Sequence, residues 1–191
     1  MERRITLIRH GCCPGNDRKC YIGITDEPLS EKGEKSILLR AYPEADIVFS
    51  SPLQRCVFTA KLIYPNLTPV IIDDLRETDF GLFEGKNYQD LEGNPDYQRF
   101  IDCGGTIPFP QGESRDEATV RAIKGFEELL TKIGEAKNIS VIVHGGTIMA
   151  ILSHYFGGDY YSYHVENSEG YTFDLSHDGI FGRLHSRSFL R

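Results

Sequence analysis

Three short apolar runs, each ending in polar or glycine residues, limit the fold of this 191-residue chain more than any other feature. Residues 5–8, 46–49 and 139–143 have the length and the Ile, Leu and Val content of buried strands. Helical patterns follow the last two runs, over residues 53–63 and 147–156. Because strands that alternate with helices are typical of a parallel sheet covered by helices, we predict an α/β fold. The expected arrangement has three layers, α/β/α, with a mostly parallel central sheet.

Local signals predict the ends of further elements. Ser51 and Pro52 are the residue types of a helix N-cap and a first helical position, so they predict the start of the helix over 53–63. Residues 114–117 have the pattern of a capping box and predict the start of another helix. A strand is expected over 69–73.

The C-terminal part of the chain predicts a closing antiparallel hairpin or an antiparallel edge strand. Apolar and polar residues alternate over 171–175, a turn is expected at Asp178 and Gly179, and a second extended segment follows over 180–185. No internal repeat, low-complexity tract or linker divides the chain. We therefore expect residues 1–191 to form one domain.

The charge balance excludes several classes of partner. The formal net charge at pH 7 is −7, whereas proteins that bind nucleic acid or anionic membranes spread Lys and Arg over one face. We therefore expect no nucleic-acid partner. No run of about 18 apolar residues and no signal peptide is readable, so we expect no membrane partner and a cytoplasmic location. The sequence makes no prediction of oligomeric state.

The cysteines indicate a reducing compartment rather than a disulfide framework. Their number is odd and no Cys-x-x-Cys pair occurs, so a zinc site is not expected either. The adjacent pair Cys12 and Cys13 leaves a redox role open, because nearby cations would lower a thiol pKa. The five cysteines are Cys12, Cys13, Cys20, Cys56 and Cys103.

Histidines and arginines follow the predicted strands. Arg9 and His10 end the first apolar run, Arg55 lies in the first turn of the helix after the second, and His144 ends the third. Since the carboxyl ends of parallel strands meet at one edge of a sheet, these four side chains should converge there. A phosphate site typically combines arginine guanidiniums, helix N-termini and glycine-rich backbone.

A metal site is the alternative interpretation of the same histidines. His10, His144 and His154 could supply imidazole ligands, but metal-binding histidines usually occur with carboxylates or thiolates rather than beside two cations. The phosphate interpretation is favoured, and no metal is expected.

Six blocks of sequence resemble the signature blocks of the histidine phosphatase superfamily, also called phosphoglycerate-mutase-like. The first contains Arg9-His10-Gly11, a weak tripeptide by itself, but the six blocks occur in the family's order over most of the chain. They occupy residues 7–11, 21–33, 50–60, 75–85, 110–114 and 143–146.

This resemblance implies the fold of that family and phosphoryl transfer through a phosphohistidine. His10 is then the nucleophile, and Glu77 is the proton donor to the leaving oxygen and later the base for water. His144 and the arginines are catalytic through charge stabilisation, and neither cofactor nor metal is required. The residues implied to bind the phosphoryl oxygens are Arg9, Asn16, Arg55, His144 and the backbone N–H of Gly145.

Departures from the family pattern bear on the substrate. Cys12 and Cys13 stand where members commonly have Glu-Thr, and Phe83 stands where a Trp is common. The short stretch between the Glu77 block and residues 110–114 favours a phosphatase over a mutase. Length and block order are similar to those of α-ribazole-phosphate phosphatases of cobalamin biosynthesis, so a small phosphorylated metabolite is the expected partner.

Two other functions stay open: a mutase-type phosphoryl transferase and a non-catalytic phosphate-binding module. Residues 90–110, with Tyr97, Phe100, Ile107 and Phe109, are expected to cover the pocket or to pack among themselves. Glu84 either contacts the substrate or positions its loop.

Overall fold

A six-stranded sheet forms the centre of the fold. A computed structural model describes residues 3–176 and 181–185, and the predicted turn at Asp178 and Gly179 lies outside them. The sheet has the order β3-β2-β4-β1-β5-β6. Its strands are β1 (Arg3–Arg9), β2 (Ile47–Ser50), β3 (Val70–Ile71), β4 (Asn138–Val143), β5 (Gly170–Leu175) and β6 (Phe181–His185).

The strand directions confirm the predicted fold class. β1, β2, β3 and β4 are mutually parallel, and β5 pairs antiparallel with both β1 and β6. The antiparallel pairing therefore lies at one side of the sheet, as expected from the alternation over 171–175. The register sets Leu7 opposite Val141 on β4 and opposite Tyr171 on β5.

Helices cover both faces of the sheet, which confirms the three layers. Successive strand residues point to opposite faces, so Leu7 packs with Phe126 and Ile148 on one face, while Ile8 packs with Cys56 on the other. In the described part of the chain, no helix has the length and apolar character needed to cross a bilayer. The helices are α1 (Pro14–Asp17), α2 (Glu31–Leu38), α3 (Gln54–Ile63), α4 (Pro95–Asp102), α5 (Arg115–Lys132) and α6 (Gly145–Phe156).

Several predicted boundaries need correction. The capping box at Ser114 is confirmed, but Ser51 is not the N-cap of α3: that position is Leu53, which has no side-chain cap. Helix α6 begins at Gly145, two residues earlier than predicted, because His144 already has the extended backbone of an N-cap. The strand expected over 69–73 is reduced to Val70–Ile71 and leads into a short 3₁₀ turn.

Candidate active site

The predicted histidines and arginines meet at the carboxyl edge of the sheet. Arg9 is the last residue of β1 and His10 follows it, His144 links β4 to α6, and Arg55 lies in the first turn of α3. The rings of His10 and His144 have centroids 5.1 Å apart and an interplanar angle of 64°. Both imidazoles and the Arg55 guanidinium are buried. The parallel topology has therefore placed two imidazoles and two guanidiniums in one location.

The tautomer of His10 is set by the backbone. Its Nδ1 lies 2.7 Å from the carbonyl oxygen of Gly11. Because a carbonyl can only accept a hydrogen bond, Nδ1 carries the proton and Nε2 keeps a free lone pair. Burial, together with the positive charges of Arg55 and Arg9, holds the His10 pKa well below its usual value. His10 is thus a neutral imidazole with Nε2 able to act as a nucleophile.

His144 is held by two polar groups of the α3 segment. Its Nε2 lies 2.7 Å from Ser51 Oγ and 3.4 Å from Cys56 Sγ. Burial is the main cause of its lowered pKa, followed by the charge of Arg55. Sequence reasoning assigned Ser51 to a helix cap, whereas its hydroxyl orients this imidazole and accepts a weak bond from the Leu53 N–H.

Each arginine has part of its guanidinium committed to the protein. Arg9 Nη1 donates to the carbonyl of Val165 at 2.7 Å. Arg55 donates from its two terminal nitrogens to the carbonyls of Ile22, Gly23 and Thr25. The Nε atoms of Arg9 and Arg55 are buried and have no hydrogen-bond partner among the described residues. Buried donors without a partner are rare, and here they leave positive charge for an anion.

Glu84 fixes the loop that holds Arg55. Its carboxylate accepts from the backbone N–H groups of Gly23, Ile24 and Thr25, at 3.0 to 3.3 Å, and from the Thr25 hydroxyl at 2.6 Å. The carbonyls of this loop are those that accept from Arg55. Of the two roles considered for Glu84, these contacts support the positioning of its loop.

Glu77 lies against the start of α6, the helix that follows His144. Its Oε1 accepts from the Thr78 N–H at 2.9 Å, and its Oε2 accepts from the Gly146 N–H at 3.1 Å. A side chain at position 146 would collide with this carboxylate, so only glycine lets the start of α6 approach Glu77 this closely. Gly145, also at the start of α6, packs beside the Arg9 guanidinium.

Among the predicted phosphate contacts, Asn16 is the one that lies farthest along the chain from a strand end. A side chain of the loop before β5 connects it to His10. Asn167 Nδ2 donates to Asn16 Oδ1 at 3.2 Å and to the His10 carbonyl at 3.0 Å. Sequence reasoning missed Asn167, since no motif that we recognised includes it.

A cavity of about 410 Å³ opens beside Arg9, Glu77 and Gly145. Phe100 and Phe109 line it and also stack on each other with centroids 4.4 Å apart. The stretch over 90–110 therefore both lines a cavity and packs among its own aromatic residues. The other lining residues are Tyr21, Thr78, Phe80, Gly105, Arg115, Gly146, Met149, Tyr160, Tyr161 and His164.

The structure weakens the redox and metal alternatives. Burial raises the pKa of Cys12 to about 11 and also raises that of Cys13, which is opposite to the thiolate stabilisation that a redox role requires. His154 lies near the end of α6, about 15 Å along the helix from His144. Over residues 3–176 and 181–185, no cluster of three His, Cys, Asp or Glu side chains has the arrangement of a metal site.

Known proteins with similar sequences and folds include phosphatases and phosphoglycerate mutases. The chain is 34% identical over 167 residues to the uncharacterized phosphatase PhoE of Bacillus subtilis, and the match covers 81% of this chain and 78% of that protein. It is 29% identical over 161 residues to a 2,3-bisphosphoglycerate-dependent phosphoglycerate mutase of Rhizobium etli, covering 77% of each. The α-ribazole phosphatase structure from Shigella flexneri superposes with a TM-score of 0.80 at 23% identity, over 98% of this chain and 96% of that one. The family model of branch 1 matches residues 5–184, and the chain therefore belongs to the histidine phosphatase superfamily.

Proposed function

We propose that this chain hydrolyses phosphomonoesters without a metal ion, through a phosphohistidine on His10. The neutral imidazole of His10 carries this proposal, because its Nδ1 proton is committed to the Gly11 carbonyl and its Nε2 lone pair is free. A phosphate-binding module would need the arginines but neither this nucleophile nor Glu77 as a proton donor. The buried cations supply the positive charge for which other phosphatases use a metal.

The reaction has two displacements at phosphorus. In the first, His10 Nε2 forms the P–N bond while the ester P–O bond breaks, and the electron pair of that bond goes to the leaving oxygen. Glu77, in its protonated form, gives its proton to that oxygen. In the second, Glu77 takes a proton from water, the water oxygen attacks phosphorus, and the P–N bond breaks to regenerate neutral His10. The groups that hold the phosphoryl oxygens are Arg9, Asn16, Arg55, His144 and the Gly145 N–H.

The cavity favours a leaving group with a flat apolar part. Phe100, Phe109 and Phe80 line it close to Glu77, and aromatic faces stack well on a planar ring. α-Ribazole 5'-phosphate, a substrate of cobalamin biosynthesis, has such a ring in its leaving group. We take this ester as the first candidate substrate of this small-molecule phosphatase.

A mutase-type phosphoryl transferase is the second candidate. Relatives named as phosphoglycerate mutases support it, and Arg115 on the cavity wall would pair with a substrate carboxylate. The guanidinium of Arg115 lies 5.7 Å from the centre of the Tyr160 ring, which leaves its edge available for such a group. Transfer to a phosphoglycerate would then compete with hydrolysis.

Phosphate release from p-nitrophenyl phosphate in the presence of EDTA tests the proposed hydrolysis. We expect turnover by the wild type and a loss of more than about 10³-fold in His10→Ala, the order seen when a nucleophile is removed. His154→Ala, which changes an exposed histidine of α6, is the matched control and should stay within about twofold of wild type.

A folded His10→Ala variant with wild-type turnover would contradict the nucleophile assignment. A panel of α-ribazole phosphate, phosphoglycerates and sugar phosphates then identifies the leaving group. Faster phosphoryl transfer between phosphoglycerates than to water would favour the mutase.

A further inference from the structure

The loop over residues 165–169 closes the end of strand β1. Its Val165 carbonyl accepts from Arg9 Nη1, and its Glu169 carbonyl accepts from the Arg9 backbone N–H at 2.8 Å. The Ser168 N–H donates to the carbonyls of Arg9 and His10, at 3.1 and 3.2 Å. Ser168 is buried and has a φ of +67°, a conformation that this docking stabilises. The loop therefore determines where the backbone of Arg9 and His10 lies.

The Asn167 side chain extends from this loop into the candidate site. One amide atom lies 3.0 Å from the His10 carbonyl oxygen, and because that oxygen can only accept, the atom must be the nitrogen, Nδ2. The same nitrogen has a second hydrogen, and it lies 3.2 Å from Asn16 Oδ1. Asn167 thus joins the nucleophile's backbone to the side chain of Asn16.

A second fixed donor sets the orientation of the Asn16 amide. The backbone N–H of Cys13 can only donate, and it lies 3.3 Å from Asn16 Oδ1, which also accepts from the Cys13 thiol. The oxygen of Asn16 is therefore surrounded by donors, and a flipped amide would set its NH₂ group against them. Within the residues that the structure describes, Asn16 Nδ2 makes no hydrogen bond, so it can donate to an anion.

We infer that Asn167 is a positioning residue for phosphate: its amide holds Asn16 with the NH₂ group turned toward the phosphoryl oxygens. This inference rests on the proposed phosphate site. Asn167 itself acts through Asn16, which is the group that contacts the anion. Without Asn167, the Asn16 amide loses one of its donors and its link to His10, and it rotates more freely.

Binding of inorganic phosphate, measured by isothermal titration calorimetry, tests this inference without requiring turnover. The proteins compared are wild type, Asn16→Ala, Asn167→Ala and the double variant. With Asn16 present, we expect Asn167→Ala to weaken phosphate binding about tenfold, the size of one hydrogen bond to a charged group. In the Asn16→Ala background, the same change should weaken binding less than about threefold. Equal losses in both backgrounds would overturn the inference.

Asn167→Asp provides a second variant of nearly the same shape. Aspartate has no donor, so it favours a flipped Asn16 whose oxygen faces the phosphate. We expect a larger loss than in Asn167→Ala, and this extra loss should shrink when residue 16 is Ala. An extra loss that is the same with Ala at position 16 would overturn the flip. Asn66→Asp, on an exposed loop after α3, adds the same charge and is the control; it should keep phosphate affinity within about twofold.

Thermal unfolding of each variant separates positioning from a general loss of structure. Coupling between positions 16 and 167 with an unchanged midpoint supports the inference, whereas loss of affinity that follows the midpoint in both backgrounds would overturn it. If the four proteins show this coupling in phosphate binding but the wild type hydrolyses no ester, the result would contradict the proposed function and leave the inference about Asn167 intact.

Discussion

The two ends of the candidate site are built by different interactions. At the phosphate end, His10, His144 and Arg55 are buried, and hydrogen bonds of 2.7 to 3.3 Å to backbone or hydroxyl groups hold each of them. At the leaving-group end, the wall is a cluster of aromatic rings, among them Phe100 and Phe109, held by edge and tilted ring contacts. Hydrogen bonds set the orientation of the polar groups, whereas ring packing sets the volume and shape of the cavity.

We propose that this difference separates the chemical step from substrate choice. The phosphate end tolerates few changes, because buried polar groups that lose a partner cost free energy. The leaving-group end includes a cluster of aromatic side chains, among them Phe80, Phe100 and Phe109, where substitution changes volume and shape. The predictions below test that separation.

The largest effect is expected from Glu77→Gln, which removes the proposed proton donor at the junction of the two ends. We expect the rate constant of the first displacement to fall about 10²- to 10⁴-fold on an alkyl phosphate, whose alkoxide needs a proton. The fall should be much smaller on p-nitrophenyl phosphate, because p-nitrophenolate leaves without protonation. Single-turnover release of the alcohol or of p-nitrophenolate measures this step apart from the second displacement, in which Glu77 acts as the base. An equal fall on both esters would contradict the role of Glu77 as an acid.

Phe100→Ala tests the leaving-group end alone. We expect the free energy of unfolding to fall by about 3 kcal/mol and any preference for α-ribazole phosphate over an alkyl phosphate to shrink. The affinity for inorganic phosphate should not change, since Phe100 packs in a cluster of aromatic and aliphatic side chains and is not one of the proposed phosphate-binding groups. Phe58→Ala, at an exposed position of α3, is the control. Equal loss of phosphate affinity and of preference would show that the two ends are not separable.

The pH dependence of stability tests the phosphate end. The folded-state pKa of His10 lies well below 6.5, so below about pH 6.5 the unfolded chain binds a proton that the folded chain does not. The neutral His10 side chain therefore contributes to the free energy of unfolding above about pH 6.5, and this contribution is lost as the pH falls. The free energy of unfolding, measured with urea at each pH, should fall between pH 6 and pH 5 in wild type. In His10→Gln this fall should be smaller by up to about 1.4 kcal/mol per pH unit. Equal slopes would contradict the neutral buried imidazole.

The smallest effect is expected from Cys12→Ser. With its thiol pKa raised to about 11, Cys12 is protonated at neutral pH and is a poor target for oxidation. We expect activity within about twofold of wild type and equal resistance of both proteins to peroxide. Inactivation of wild type that Cys12→Ser prevents would restore the redox hypothesis.

The parts of the site that follow from strand order could be predicted from the sequence. His10 and His144 end neighbouring parallel strands, so the topology alone brings them to one edge of the sheet. The helix cap at Ser51 was predicted wrongly, because the capping rule considers only neighbouring residues. The Ser51 hydroxyl instead makes a hydrogen bond with His144, which is distant in the sequence. Local patterns carry no information about such a contact.

The contacts made by loops were the least predictable. Glu84 contacts backbone groups of loop 22–25, and Asn167 contacts the His10 carbonyl and the Asn16 side chain. These groups meet only when loops 22–25 and 165–169 take their folded conformations. The stretch over 90–110 was predicted to cover the pocket or to pack among its own aromatic residues, but its ring contacts also depend on side chains from separate segments, such as Phe83. Sequence patterns therefore predicted which residues meet at the strand ends better than the loop contacts that hold them.

Identification of the phosphorylated residue tests the central claim most directly. The enzyme is mixed with substrate, stopped within milliseconds in alkali, which preserves phosphohistidine, and digested for mass spectrometry. The account predicts one phosphoryl group on His10. This group should be absent from His10→Ala, and it should disappear from the wild type once the substrate has been consumed. A phosphoryl group on another residue, or turnover with no phosphorylated protein under any quench time, would contradict it.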